Sequence, residues 1–251
     1  MILFVFEGKE SEPQLYSAIE SLFFPKETDA IVCSFENNIY ELYKKVMALG
    51  GEDADIVSIM REQLYGRPNN PLKDITASSE FAEIYLFFDY DLHYQHWPID
   101  KINHRLKEML GIFYDETKNG KLYINYPMIE SIRHTKELPD ANYYLYTIPK
   151  EQCGDFKRIA HDFSHYGSLD FLTDTRERRV AATRQNWQHL KDMNVCKANY
   201  ICCDANTYPT NKSDIAQQNI FEAQLQKYVN TDECSVAILN AFPIFLYEYF
   251  K

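Results

Sequence analysis

Four carboxylates stand out by where they fall in the chain. Glu7 ends the apolar run of ILFVFEGKESEP at residues 2–13, and Glu12 follows it by five residues. Asp89 and Asp91 end a second apolar run, in EIYLFFDYDLHY. A continuous apolar run is the signature of a strand buried on both faces of a parallel sheet, so each run delivers acid to a strand end. Carboxylates at such a place are costly unless they coordinate something, and they cannot all stay ionised together without a compensating cation. A hard divalent ion, Mg²⁺ or Mn²⁺, meets that need, because it takes oxygen ligands and keeps positions for water and phosphate oxygens. The spacing Asp-x-Asp would put two carboxylates around one ion if Tyr90 between them points to the other face of the strand.

The elements that must position these acids are legible in outline. After the strand at residues 2–6, Leu15, Ile19, Leu22 and Phe23 lie on one face of a helix, with Ser11 placed to cap it and Gly8 in the turn. Ala30 to Cys33 read as a strand, and Ile39, Leu42, Tyr43, Val46 and Met47 as a helical stripe ending at Gly50-Gly51. A helix is expected around Ile56 to Leu64, a strand over Ile84 to Phe88, and a helix after Pro98. A strand over Lys121 to Tyr126, a turn or short helix over Met128 to Arg133 and a strand over Tyr143 to Ile148 complete this half. The alternation predicts an α/β fold, a mainly parallel sheet flanked by helices, over residues 1–149. Residues 150–251 read as a helical lobe, packed on the sheet or binding a partner, with helices over Gln152 to His165, Arg176 to Asn194, Asp214 to Val229 and Glu233 to Ala241. The final AFPIFLYEYF is too apolar for a free tail and is expected in a core or an interface.

In an open parallel sheet, functional groups collect at the carboxyl ends of the strands. Neighbouring strands would bring Glu7 and Asp89 within about 5 to 10 Å of one another. The arrangement resembles the Toprim family, the catalytic module of topoisomerases, DnaG-type primases and the OLD and RloB-like nucleases. The resemblance rests on Glu7-Gly8 after the first strand and Asp89-Tyr90-Asp91 after a later one, and FEGKESEP is similar to the opening of RloB-like phage-defence proteins. It implies a Toprim-like catalytic domain over residues 1–149 that cleaves phosphodiester bonds of DNA or RNA with Mg²⁺ or Mn²⁺. It further implies Glu7 as metal ligand or general acid/base, Asp89 and Asp91 as ligands, and Glu12 as ligand of a second ion. A lysine that assists the phosphate is implied as well, with Lys136 and Lys150 as candidates. The setting implied is antiviral defence with a protein partner such as an ATPase. The alternative is a catalytically silent Toprim-like scaffold.

Other constellations compete. A haloacid-dehalogenase-like phosphatase also uses Asp-x-Asp after an apolar strand, but on its first strand and followed by Thr or Val, where this chain has Leu92-His93 in mid-chain. A phospho-receiver domain fits poorly with the insertion before Asp89. His161 and His165, with Cys153 or Cys202-Cys203, could bind zinc, although helix-surface histidines are the simpler reading. His93 and His96 follow Asp91 closely enough to meet a substrate, and Glu130 is a further edge carboxylate. Arg176, Arg178, Arg179 and Arg184 form a basic cluster, read as a solvated helix face or a binding face.

Composition sets the outer bounds. With 45% hydrophobic and 25% charged residues in 251, the chain can build a sizeable core rather than stay disordered. The net charge of −11 opposes autonomous nucleic-acid binding, so such a role needs a local patch, metal ions or a partner. The sequence predicts a cytoplasmic protein with no membrane association and free thiols, because no apolar run is long enough to span a bilayer and no signal peptide is evident.

Overall fold

The computed structural model of the chain describes residues 1–92, 94 and 97–250. Its first half alternates strand and helix as predicted: β1 (Ile2–Phe6), α1 (Ser11–Phe23), β2 (Ala30–Ser34), α2 (Ile39–Ala48), α3 (Ile56–Gln63), β3 (Glu83–Asp89), α4 (Ile99–Ile112), β4 (Tyr114–Asp115) and β5 (Gly120–Asn125). These strands form a mostly parallel five-stranded sheet in the order β2-β1-β3-β5-β4, with only the two-residue β4 antiparallel. The register sets Phe6 opposite Phe87, and Asp89 opposite Asn125.

Side chains alternate across the strands, so Phe4, Phe6, Tyr85, Phe87 and Tyr123 share one face. Their rings pack on each other, with Phe4 and Tyr85 at 5.4 Å and Phe87 and Tyr123 at 5.2 Å between centroids. Tyr16 of α1 and Phe242 and Phe245 of a C-terminal helix cover this aromatic layer. Leu3, Val5, Ile84, Leu86, Phe88, Leu122 and Ile124 are buried on the other face, where α4 packs against β5 and α2 against α4.

The second half continues with β6 (Thr147–Pro149), α5 (Phe156–Phe163), α6 (Asp170–Thr173), α7 (Val180–Cys203), α8 (Gln217–Gln224), β7 (Ser235–Ala237) and α9 (Ala241–Tyr249). The structure departs from the sequence reading at several elements; the helix expected over Gln152 to His165 shortens to α5 after a 3₁₀ turn, and that over Asp214 to Val229 breaks into a 3₁₀ turn, α8 and a π-helical turn. The strand expected over Tyr143 to Ile148 is a 3₁₀ turn, Tyr143–Leu145, followed by β6, which pairs antiparallel with β7 outside the main sheet. The helix expected over Glu233 to Ala241 is that β7 strand. Val236 to Leu239 is an unbroken buried apolar stretch, and such a stretch suits a strand as well as a helix. Helix α7 begins four residues later than Arg176 and runs on to Cys203, where Asp204 takes a left-handed φ of 59° and stops it. Ser11 opens α1 rather than capping it, since the preceding residue is Glu10 and makes no side-chain cap.

The two halves share one hydrophobic cluster. Helix α9, the aromatic AFPIFLYEYF segment, starts at a cap in which Asn240 Oδ1 accepts from Phe242 N–H, and it lies on the aromatic face of the sheet. Beyond β4, the open edge of β5 is closed by side chain and loop. Ile124 N–H donates to Gln217 Oε1 of α8 at 3.2 Å, and Tyr126 bridges to Leu239. Lys197 of α7 is fully buried and donates to the carbonyls of Tyr143 and Tyr146, which ties α7 to the 3₁₀ turn. Among the described residues, no helix is long and apolar enough to cross a membrane.

Candidate functional site

Strand order reverses between β1 and β3: from β1 the chain crosses to β2 on one side, and from β3 it moves to β5 on the other. A crevice opens outside the carboxyl ends at such a reversal, which is where open α/β sheets bind ligands. Glu7 is the first residue past β1 and Asp89 the last of β3, so the two acids flank that crevice.

Local bonds fix each of them. The backbone of Glu7 continues the sheet, its N–H donating to Phe87 O at 3.1 Å and its carbonyl accepting from Glu36 N–H at 2.9 Å. Its Oε2 accepts from Asp89 N–H at 3.1 Å, a direct link between the two strand ends. Asp89 is buried, and its Oδ1 accepts from the Asn125 carboxamide at 2.9 Å. Asn125 Oδ1 in turn accepts from Ala241 N–H, at the start of α9. Glu12 is buried in the first turn of α1, with Oε1 accepting from Gly8 N–H at 3.0 Å. A Cβ at Gly8 would stand 2.8 Å from Glu12 Oε2, so the folded-back Glu12 requires glycine there.

Asp91 is not reached by strand alternation, because β3 ends at Asp89. Tyr90 is fully buried with its hydroxyl donating to Asn103, and Asp91 adopts a left-handed φ of 46° past the strand. It lines, with Glu7, Gly8, Lys9, Glu36 and Asn38, an open cleft of about 510 Å³. Thus Glu7 and Asp91 face one cleft, while Glu12 and Asp89 sit deeper.

The electrostatics follow from burial and crowding. Burial first, then the charges of Asp89 and Asp91, pushes the Glu7 carboxyl well above the usual range. Asp89 is pushed up by burial and then by Glu12, with Asp91 and Glu130 adding to it against the Asn125 hydrogen bond. Glu12 is raised mainly by burial, opposed by backbone N–H groups and by Lys157. Glu130, in the 3₁₀ turn Ile129–Arg133, lies 3.5 Å from Lys157 Nζ, and both line a cavity of about 170 Å³ with Ser11 and Arg133. Among the described residues, no three His, Cys, Asp or Glu side chains stand close enough together to hold a metal ion as placed.

Other candidates are dispersed. Lys136 has its Nζ over the Phe163 ring at 5.0 Å, and Lys150 follows β6, its N–H donating to Cys234 O. His161 and His165 do not share a helix, since α5 ends at Phe163. Arg176 and Arg179 pair with Asp174 ahead of α7, and Arg184 lies over the Phe23 ring. His93 and His96 lie outside the described residues. Two participants escaped the sequence reading. Asn125 ends a strand beside Asp89, a position that the strand-end rule singles out, but it carries no charge. Lys157 sits in α5, and nothing in its sequence surroundings marks it. No family model matches the chain, and neither does any of the curated proteins or solved structures with which it was compared.

Proposed function

We propose that this chain is a Toprim-like phosphodiesterase that cleaves DNA or RNA with a divalent cation, Mg²⁺ or Mn²⁺. One observation carries the reading: Glu7 and Asp89 end neighbouring parallel strands at the reversal of strand order and are joined by a hydrogen bond. Asp91 opens into the same cleft as Glu7. The donor chemistry fits a hard dication, since every candidate ligand atom is a carboxylate oxygen and the acids already raise one another's pKa. Bound there, such an ion supplies an activated water and neutralises charge on phosphate oxygens.

The chain's own groups prepare that site. Glu7, Asp89, Asp91 and Glu12 would hold the ion or ions, with Asp89 N–H orienting Glu7, Asn125 orienting Asp89 and Gly8 N–H orienting Glu12. Burial and the neighbouring acids hold the Glu7 carboxyl above the usual range, the direction that a general acid at a leaving oxygen needs. Lys157 places a cation beside Glu130 at the margin. The setting in phage defence and an ATPase partner rest on the FEGKESEP resemblance.

Purified protein should cleave plasmid DNA or tRNA only with Mn²⁺ or Mg²⁺, and Glu7→Gln and Asp89→Asn should each lose at least about a hundredfold in rate. Equal activity in all three proteins would sink the proposal. A second reading, a catalytically silent scaffold, is favoured by the absence of a ready-made trio of metal-ligating side chains among the described residues. No cleavage of any substrate, together with a protein that co-purifies with the native chain, would select it.

A further inference from the structure

A second cavity, about 690 Å³, opens between α3 and the loop after it. Arg61, Arg67 and Lys73 line it, with Glu62, Asn70 and Tyr65. Three cations thus face one acid, and that acid has Lys45 at 3.7 Å. In a chain of net charge −11 this is a local inversion of sign.

One ion pair links the lining of this cavity to that of the carboxylate cleft. Arg67 pairs with Glu36, Glu36 also lines the cleft that holds Glu7 and Asp91, and Lys9 Nζ reaches Glu36 at 3.9 Å from the cleft side. Gln63 donates to Phe35 O at 3.1 Å, which fixes the end of α3 to the carboxyl end of β2. Arg67, through Glu36, therefore stands at the same edge of the sheet as the acids. Tyr65 is 89% exposed, an aromatic ring left almost wholly in water at the mouth of this cavity.

Cations spaced along a groove with an accessible ring are what a single nucleic-acid strand needs: charge for its phosphates and a flat face for an unstacked base. We propose that the Arg61/Arg67/Lys73 groove binds the single-stranded flank of a nucleic-acid substrate, with Tyr65 stacking on one base. The proposal rests on the phosphodiesterase reading, because that reading places the strand's reacting phosphate at the carboxylates next door. A duplex keeps its base faces stacked and offers Tyr65 nothing, so the groove should discriminate against it.

The test is binding without chemistry. Full-length Glu7→Gln protein in EDTA is titrated against fluorescein-labelled oligothymidylate, oligouridylate and a blunt-ended duplex, each of roughly twenty nucleotides or base pairs, with anisotropy as the readout. Tyr65→Ala should weaken single-strand binding by about tenfold, and Tyr65→Phe should leave it unchanged. Replacing Arg61 and Lys73 by Ala should flatten the dependence of log affinity on log salt by about 0.7 per cation removed, and Lys73→Arg should restore its share. The DNA and RNA probes report which sugar is preferred. Unchanged affinity in both sets of variants, a preference for the duplex, or polyglutamate competing as well as the oligonucleotides would each overturn the proposal, the last in favour of an acidic partner segment in the same groove. Because binding is read in EDTA, wild-type protein that cleaves nothing even with Mn²⁺ or Mg²⁺, while the groove variants lose binding, removes the phosphodiesterase reading and leaves this one. Cleavage with no groove dependence does the reverse.

Discussion

Gly8 is the tightest spot in the carboxylate site, and its constraint is steric rather than conformational, because the clash is with Glu12 Oε2. Gly8→Ala should drive Glu12 off the Gly8 N–H and cost about 1.5–3 kcal/mol, the range for a hydrogen bond to a charged group, read from urea denaturation. Retained stability would mean that Glu12 holds its place by other contacts. His134 offers a cleaner titration. It is buried between the rings of Phe163 and Phe156, with Nδ1 unpartnered, and burial together with Lys197 pulls its pKa down to about 4. An unfolded histidine takes a proton near pH 6.5. The folded state therefore has its full stability above about pH 6.5 and loses it as pH falls towards 4, by about 3 kcal/mol at most. Thermal melts of His134→Phe should lack this slope, while the carboxylates, with raised pKa values, contribute the opposite trend in both proteins.

Helix α9 shows what an element can contribute that its own sequence hides. Its Phe245 ring meets Phe4, Tyr85, Phe87 and Tyr123, residues of three strands. Phe245→Ala should cost about 3–5 kcal/mol in urea denaturation, as a large cavity between helix and sheet would. A loss under 1 kcal/mol would show that α9 is marginal to the core. The elements of the first half were legible because their apolar periods switch cleanly between continuous runs and helical stripes, as in residues 2–6 against Leu15 to Phe23. Those of the second half were less so. The buried stretch Val236 to Leu239 carries no period that separates strand from helix, and β6 is three residues long, bounded by a 3₁₀ turn. For the site, Glu7, Asp89 and Asp91 were visible as acids after apolar runs. The partner that orients Asp89 was not, because Asn125 acts through a long-range hydrogen bond that leaves no local pattern.

At the scale of the whole molecule, residues 1–149 and 150–251 meet across the aromatic face of the sheet. A fragment ending at residue 149 would leave Phe4, Phe6, Tyr85, Phe87 and Tyr123 without the cover of Phe242 and Phe245. It should aggregate or show only molten tertiary structure by near-ultraviolet circular dichroism, and co-expression with 150–251 should recover the native signal. A folded, soluble fragment would refute this. The Asn125 carboxamide carries the same dependence down to a single acid, since it donates to Asp89 and accepts from Ala241, 116 residues later in the chain. Synthesis runs from the amino end and folds what it has as it goes. A nascent chain complete through β5 therefore holds Glu7, Glu12, Asp89 and Asp91, yet lacks the amide that sets the group orienting Asp89. The hydrogen-bonded chain that orients Asp89 is therefore complete only after residue 241 has left the ribosome.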